Sequence, residues 1–193
     1  MLRRLAVVAL RLRGWRLSGE PPDLRKYLIV FGPHTCNWDL LLGLLTKAGF
    51  GLKASWLAKE AIFRWPIAGL LRRLGGIPVR RNQREGLVGQ VVAAYAAADS
   101  LIVGMTPEGT RSLTRYWKSG FYHIALGARI PIVLASIDRP TRCIALGPTL
   151  QLSGDPHRDM EAIRFYYANV QGIHPEKASP VRLREEAGPP ERT

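Results

Sequence analysis

The sequence predicts one α/β domain, built on a largely parallel or mixed sheet with helices on both faces. Short aliphatic and β-branched runs alternate along the chain with longer segments of helical periodicity, the order typical of such domains. The length of 193 residues suits one domain. With 47% hydrophobic and 22% charged residues, the chain can bury a core and is not a disordered basic tail.

The chain begins with a predicted amphipathic helix, which we assign to residues 1–20. On a helical wheel one side is apolar and the other is basic, and Gly14 ends the pattern. The apolar side holds Leu2, Leu5, Val8, Ala9 and Leu12, and the basic side holds Arg3, Arg4 and Arg11. Two interpretations stay open. Either the apolar stripe packs on the domain, or it binds a membrane surface, where the arginines between residues 3 and 16 would meet anionic head groups.

Strands and helices then alternate as far as residue 170. Apolar runs predict strands at residues 27–32, 52–57, 77–79, 101–105, 130–136 and 141–147. Helical periodicity predicts helices at residues 37–48, 65–74, 85–98, 120–128 and 158–170. Because proline and glycine recur beyond this point, we expect residues 21–171 to form the domain and residues 172–193 a mobile tail.

Charge and cysteine content exclude several classes of protein. The net charge is +13, and 16 of the basic residues but only 4 of the acidic ones precede residue 85. An anionic partner is therefore indicated, but without a helix-turn-helix, zinc or stacking-aromatic pattern a nucleic-acid-binding protein is only a distant alternative. Two cysteines are too few for a disulfide scaffold. Since no apolar run reaches the length of a membrane span, we expect a cytoplasmic protein without an integral anchor.

The first loop with candidate catalytic residues follows the strand at residues 27–32 and reads GPHTCNWD. His34 lies in the turn, and Asp39 lies in the first turn of a helix that Asn37 would cap. In open α/β sheets, active residues gather at the carboxyl ends of strands. This spacing lets the carboxylate reach one imidazole nitrogen, fix the tautomer and raise the basicity of the other nitrogen. A loop histidine with purely structural hydrogen bonds is the alternative.

A second loop, GGIPVRRN at residues 75–82, ends a predicted strand with two arginines. Its glycines permit a close backbone approach, and the planar fork of Arg81 suits a phosphate. A solvated pair of arginines is the alternative.

A third loop, TPEGTRS at residues 106–112, follows the strand at residues 101–105. Its turn presents Glu108, Thr110 and Arg111, and free N–H groups beside Arg111 would form an anion site. Lys118 lies just downstream and adds a cation. A simple turn is the alternative.

Taken in order, these loops resemble the four-block pattern of the lysophosphatidate acyltransferases, the 1-acyl-glycerol-3-phosphate acyltransferase family. The blocks HTCNWD, GGIPVRR, PEGTRS and IPIVLASID lie between residues 27 and 138, and WLAKEAIF resembles the segment between the first two. The resemblance implies an enzyme of phospholipid biosynthesis that moves a fatty acyl group from acyl-CoA or acyl-carrier protein to a lysophospholipid hydroxyl. The first candidate acceptor is 1-acyl-glycerol-3-phosphate. Neither a metal nor a cofactor is implied, apart from the donor itself.

The resemblance also implies roles for individual residues. His34 would be the general base, and Asp39 would orient its ring and stabilise the imidazolium. The substrate-binding residues that it implies are Arg81, Glu108, Gly109, Thr110, Arg111 and Lys118. Of these, Arg81 and Arg111 would hold the phosphate of the acceptor.

Several alternatives remain open at this point. Pro33 and Thr106 differ from the usual residues of the family pattern, so another lysolipid or an acylated amino acid stays a possible acceptor. A lipid-binding module without catalysis is a third class. Adjacent loop residues rarely align for nucleophilic attack, which argues against Cys36 as a nucleophile. An apolar tunnel for the acyl chain has four candidate lining residues: Trp38, Leu41, Phe63 and Trp65.

Overall fold

The computed structural model describes residues 1–79 and 86–187, and these residues form a seven-stranded mixed sheet. Its strands are β1 (Arg16–Ser18), β2 (Lys26–Gly32), β3 (Ala54–Lys59), β4 (Gly76–Val79), β5 (Leu101–Met105), β6 (Ile132–Asp138) and β7 (Cys143–Leu150). The helices are α1 (Leu2–Leu12), α2 (Trp38–Phe50), α3 (Ala68–Arg73), α4 (Gly86–Ala97), α5 (Gly120–Ala128) and α6 (Pro156–Tyr167). The predicted α/β class with a mixed sheet is confirmed.

The strands lie in the order β1-β7-β6-β2-β5-β3-β4, which places β2 in the centre of the sheet. All neighbouring pairs are parallel except β6 and β7, which run antiparallel. The predicted strands and helices are all present, with boundaries shifted by a few residues. Strand β1 was not predicted, because three residues are too few to show an alternating pattern.

Alternate residues of β2 point into two different cores. Leu28 and Val30 belong to the larger core, beneath α4, α5 and α6. Tyr27 and Ile29 face the opposite side of the sheet, where α1 and α2 lie. Because both faces are covered by helices, the central strand can be apolar throughout.

Helix α1 packs on α2 through a different face from the one that the apolar stripe predicts. Ala6 and Leu10 are buried, and Nε of Arg3 donates a hydrogen bond to the Gly49 carbonyl of α2 (3.0 Å). The predicted stripe points outward instead, with Leu2 72% and Leu12 82% exposed. The interpretation in which this stripe packs on the domain is therefore wrong. None of the helices within residues 1–79 and 86–187 is long and apolar enough to cross a membrane.

The C-terminal segment packs against the domain as far as residue 187. Leu183 is buried beside Trp117, whose backbone N–H donates to the Arg182 carbonyl (2.8 Å). Ser179 is also buried. This course differs from the mobile tail that the proline and glycine content predicts, because Leu183 completes the core under α5. We call residues 171–187 the C-terminal strap.

Candidate active site

His34 and Asp39 meet at the carboxyl end of β2, as their spacing predicts. Nδ1 of His34 lies 3.1 Å from Oδ2 of Asp39. The Asp39 side chain is 1% exposed and that of His34 is 16% exposed. The imidazole is therefore held by a buried carboxylate but retains access to its surroundings.

Asp39 is anchored by the loop that precedes it. Its Oδ2 accepts the N–H groups of Thr35 (2.7 Å) and Cys36 (2.9 Å), and its Oδ1 accepts the Cys36 thiol (3.2 Å). Burial alone would raise the pKa of Asp39, but the His34 ring and these donors outweigh it and hold the pKa below its usual value. Asp39 is thus a carboxylate at neutral pH.

The structure also shows the state of the Asn37 cap and of the Cys36 thiol in this loop. Asn37 is the N-cap residue of α2, but its side chain makes no capping hydrogen bond. Burial, together with the hydrogen bond to Asp39 and the negative charge there, raises the pKa of the Cys36 thiol. A protonated thiol is a poor nucleophile, which agrees with leaving Cys36 out of the chemistry.

Glu108 supports His34 from the opposite side, through the main chain. The carboxyl group is 1% exposed; Oε1 accepts the His34 N–H (2.7 Å) and Oε2 accepts the Ser179 N–H (3.3 Å). Burial raises the pKa of Glu108, against the opposing influence of these two N–H groups. Its oxygens are thus occupied by the protein, because buried carboxylates must find donors. The substrate-binding role that the resemblance implies for Glu108 stays a prediction.

The C-terminal strap touches the same loop at a second point. The N–H of His174 donates to Oγ1 of Thr35 (3.1 Å). A Cβ added to Gly172 would lie only 3.1 Å from the Thr35 side chain, so the two segments are in close contact. Sequence reasoning missed this support, since composition favours turns here and only Leu183 hints at burial.

His34 and Asp39 open onto a cavity of about 380 Å³ between α2 and the sheet. Arg111 reaches the lining beside them, while most of the wall is apolar. The apolar lining includes Ile29, Phe31, Leu40, Leu44, Leu52, Leu57, Ile62, Met105, Ala135 and Leu146. Lys47 also lines the cavity, and its Nζ donates to the Leu74 carbonyl (2.8 Å).

The four aromatic and aliphatic residues suggested for a tunnel lie elsewhere. Trp38 and Leu41 line a separate cavity of about 350 Å³ between α1 and α2. They lie on another side of α2 from Leu40 and Leu44, as expected from 3.6 residues per turn. Phe63 stacks on Trp56, with ring centroids 6.5 Å apart, and Trp65 is exposed.

The remaining predicted substrate-binding residues are not brought together in the cavity. Gly109 has a φ of +63°, and a Cβ there would lie 2.8 Å from Nζ of Lys118, which packs over this turn. Thr110, Gly109 and Lys118 are outside the cavity lining, and Arg111 is inside it. Arg81 lies outside the residues that the structure describes.

This arrangement suits proton abstraction next to an apolar ligand. A proton on Nδ1 would face the Asp39 carboxylate, 3.1 Å away, and would leave Nε2 to accept another. Arg111 places a positive charge at the same cavity. Among the described residues, no three His, Cys, Asp or Glu side chains gather as metal ligands would.

The comparisons with known proteins agree with this geometry. A family model described as acyltransferase matches residues 19–138, a range that contains His34, Asp39, Glu108 and Arg111. The fold is similar to the crystal structure of the 1-acyl-sn-glycerophosphate (LPA) acyltransferase PlsC from Thermotoga maritima, with a TM-score of 0.58 and 17% sequence identity. That match covers 86% of this chain and 73% of the other. No curated protein matches the sequence significantly.

Proposed function

The chain belongs to the acyltransferase family, and on that premise we propose that it transfers a fatty acyl group from a thioester to the free hydroxyl of a lysophospholipid. The observation that carries the proposal is the imidazole of His34, held by Asp39 and open to a largely apolar cavity. A base must reach the hydroxyl, and the acyl chain must be buried nearby. This cavity meets both requirements.

The proposed reaction needs only these residues and the two substrates. Nε2 of His34 takes the proton of the acceptor hydroxyl as its oxygen attacks the thioester carbonyl carbon. The tetrahedral intermediate collapses, the C–S bond breaks, and the new C–O ester bond remains. The proton passes from Nε2 to the departing thiolate. Asp39 stabilises the imidazolium between the two proton transfers, and no covalent acyl-enzyme is formed.

We place the acyl chain in the cavity along α2. Leu40, Gly43, Leu44 and Lys47 follow one side of this helix and all line the cavity. The seven helical steps from Leu40, near His34, to Lys47 extend about 10 Å. The apolar wall ends at Lys47, whose amine is bonded to the Leu74 carbonyl.

For the acceptor we propose a phosphate-bearing lysolipid, with 1-acyl-glycerol-3-phosphate first. Arg111 supports this choice because it lines the same cavity as His34 and carries a positive charge. A phosphate held there would keep the adjacent hydroxyl within reach of the base. The resemblance adds Arg81 to this role. Because Glu108 is occupied by main-chain N–H groups, we assign it to positioning His34 rather than to holding the acceptor.

The direct test is detection of the acylated product. Purified protein is mixed with acyl-CoA or acyl-carrier protein and a panel of acceptors, namely lysophosphatidate, other lysolipids and an acylated amino acid. We expect mass spectrometry to show diacylated product from lysophosphatidate. If only another acceptor gives product, the proposed acyl transfer is supported but the acceptor is a different lipid. Binding of donors without turnover of any acceptor would favour a lipid-binding module and contradict the proposal.

We further propose that the outward face of α1 meets an anionic lipid surface. Leu2, Leu5 and Leu12 are exposed on this helix, and Arg4 and Arg11 are exposed beside them. The double substitution Leu5→Ser and Leu12→Ser should weaken binding to anionic vesicles but spare turnover of detergent-dispersed substrate. Phe165→Ser is the control, since Phe165 is 85% exposed on the distant α6. Unchanged vesicle affinity in the double variant would contradict this part of the proposal.

A further inference from the structure

Three arginines converge on one aromatic ring at the carboxyl edge of the sheet. The guanidinium carbons of Arg182, Arg115 and Arg184 lie 5.0, 5.3 and 6.0 Å from the centroid of the Tyr116 ring. Nε of Arg182 donates to the Arg115 carbonyl (3.0 Å). We call Arg115, Arg182 and Arg184 the arginine cluster.

The main chain brings the arginine cluster together. Trp117 and Leu183 form a parallel bridge, and the backbone N–H of Trp117 donates to the Arg182 carbonyl (2.8 Å). Both of these apolar residues are buried in the larger core. The residues next to them in sequence are therefore placed side by side by buried contacts and not by the chance orientation of surface side chains.

Within the described part of the chain, none of these three guanidinium groups forms an ion pair with a carboxylate. The nearest acidic residues along the chain have other partners, since Glu186 pairs with Arg164 and Glu185 lies 3.6 Å from His123. Contact with a tyrosine ring stabilises a cation only modestly. Three like charges on one ring repel one another, and an anion bound between them would remove that repulsion.

The position of the cluster indicates which anion it would meet. Arg111 lines the cavity and Arg115 follows four residues later, so their Cα atoms are at most about 14 Å apart. The cavity lies on the α2 face of the sheet, whereas Trp117 and Leu183 belong to the opposite face. A molecule with its acyl chain in the cavity and its carbonyl at His34 has its other end outside the cavity, and the short segment from Arg111 to Arg115 connects the cavity to the cluster.

We propose that the arginine cluster binds the phosphate groups of a thioester donor whose thiol carrier is a nucleotide. This inference rests on the proposed function and names its donor class. Arginine forks suit phosphate oxygens, and several guanidinium groups suit several phosphates. The phosphate of the acceptor is excluded from this role because it lies close to the reacting hydroxyl, beside Arg111. A lipid surface is disfavoured because the exposed apolar stripe of α1 lies on the opposite face.

Binding of coenzyme A without an acyl group tests the inference without turnover. Calorimetry would compare the unaltered protein with the triple variant Arg115→Ala, Arg182→Ala and Arg184→Ala. We expect the triple variant to bind coenzyme A about tenfold more weakly or worse, because it loses charge-assisted hydrogen bonds. The control triple variant Arg25→Ala, Arg72→Ala and Arg158→Ala removes three exposed arginines elsewhere and should bind normally.

Steady-state kinetics separate the phosphates from the rest of the donor. The cluster variant should raise the KM for acyl-CoA about tenfold more than the KM for an acyl-pantetheine thioester, which has no phosphate. Equal coenzyme A affinity in the cluster variant and the unaltered protein would overturn the inference. A cluster variant that loses only its binding to anionic vesicles, or only its binding to acyl-carrier protein, would also overturn the inference. If neither thioester is turned over, the proposed function fails, while selective loss of coenzyme A binding would still support the cluster.

Discussion

Two buried carboxylates hold His34, and their surroundings shift their pKa values in opposite directions. Asp39 faces the imidazole and accepts two N–H groups and a thiol, so its pKa lies below the usual value despite burial. Glu108 faces the backbone of His34 and accepts two N–H groups and the Ser179 hydroxyl, but burial prevails and its pKa is raised. Both side chains are almost completely buried.

The difference shows that burial alone does not decide the charge of a carboxyl group in this site. The number and kind of donors decide it. Asp39 is ionised at neutral pH, and in the proposed mechanism its charge orients and stabilises the protonated ring. Glu108 positions the main chain, a role that depends on its shape and acceptor oxygens more than on its charge. Substitutions at the two positions should therefore have different signatures.

The largest effect is expected at Asp39. Asp39→Asn keeps the shape and an oxygen that can accept the Thr35 and Cys36 N–H groups, but it removes the charge that would stabilise the imidazolium. We expect kcat/KM to fall about 10²- to 10⁴-fold, the range of general-base catalysis, in a folded protein. Turnover with saturating donor and acceptor measures this. Activity within a few-fold of the unaltered protein would remove Asp39 from the mechanism.

Glu108→Gln should have a smaller effect, confined to kcat. The amide nitrogen of glutamine cannot accept an N–H group, so one of the two hydrogen bonds is lost. We expect the His34 backbone to move while the substrate contacts are retained. We expect kcat to fall about tenfold with KM little changed, since small displacements of a base are costly. Ser179→Ala removes the hydroxyl that contacts Glu108 and Thr114 but retains the N–H that Glu108 accepts, so we expect a smaller decrease in kcat from it than from Glu108→Gln. A rise in KM alone would instead return Glu108 to the acceptor site.

A milder change is expected where the C-terminal strap touches the catalytic loop. Thr35→Val removes the acceptor for the His174 N–H with little change in volume. We expect a loss of about 1 kcal/mol in the free energy of unfolding and a small decrease in kcat. Thr35→Ser should restore both, and failure of that rescue would show that the methyl group, not the hydroxyl, is what matters.

The smallest effect is a difference in how stability depends on pH. Because the pKa of Asp39 is lowered on folding, its contribution is present above its unfolded pKa and is lost as pH falls through the folded value. The pKa of Glu108 is raised, so its contribution is present at low pH and is lost as pH rises through the folded value. Relative to the unaltered protein, Asp39→Asn should thus become less stable as pH rises and Glu108→Gln more stable. Urea unfolding at several pH values measures both, and slopes of equal sign would contradict the comparison.

The sequence predicts the contact of His34 with Asp39 but not its contact with Glu108. The five-residue spacing of His34 and Asp39 at the end of an apolar strand is a local pattern, and the structure places the two side chains in contact. Glu108 and Ser179 are 71 residues apart. No local period reveals such a pairing, and the glycines and prolines near Ser179 favour a loose tail.

Local patterns also fail to show which side of a helix packs on the domain, and this explains the wrong predictions for α1 and α2. Periodicity finds the stripe of α1 but cannot tell which side packs, and Ala6 and Leu10 are buried while Leu2 and Leu12 are exposed. In α2, Leu40 rather than Trp38 reaches the cavity, because the phase of the helix relative to the sheet is set by tertiary packing.

The central claim is that the imidazole of His34 is the base, and His34→Ala tests it most directly. Single-turnover transfer from acyl-CoA to lysophosphatidate would be followed by mass spectrometry, with circular dichroism and thermal unfolding as checks of the fold. The account predicts loss of transfer by about 10²-fold or more in a folded variant that still binds the donor. Transfer at the unaltered rate would contradict it.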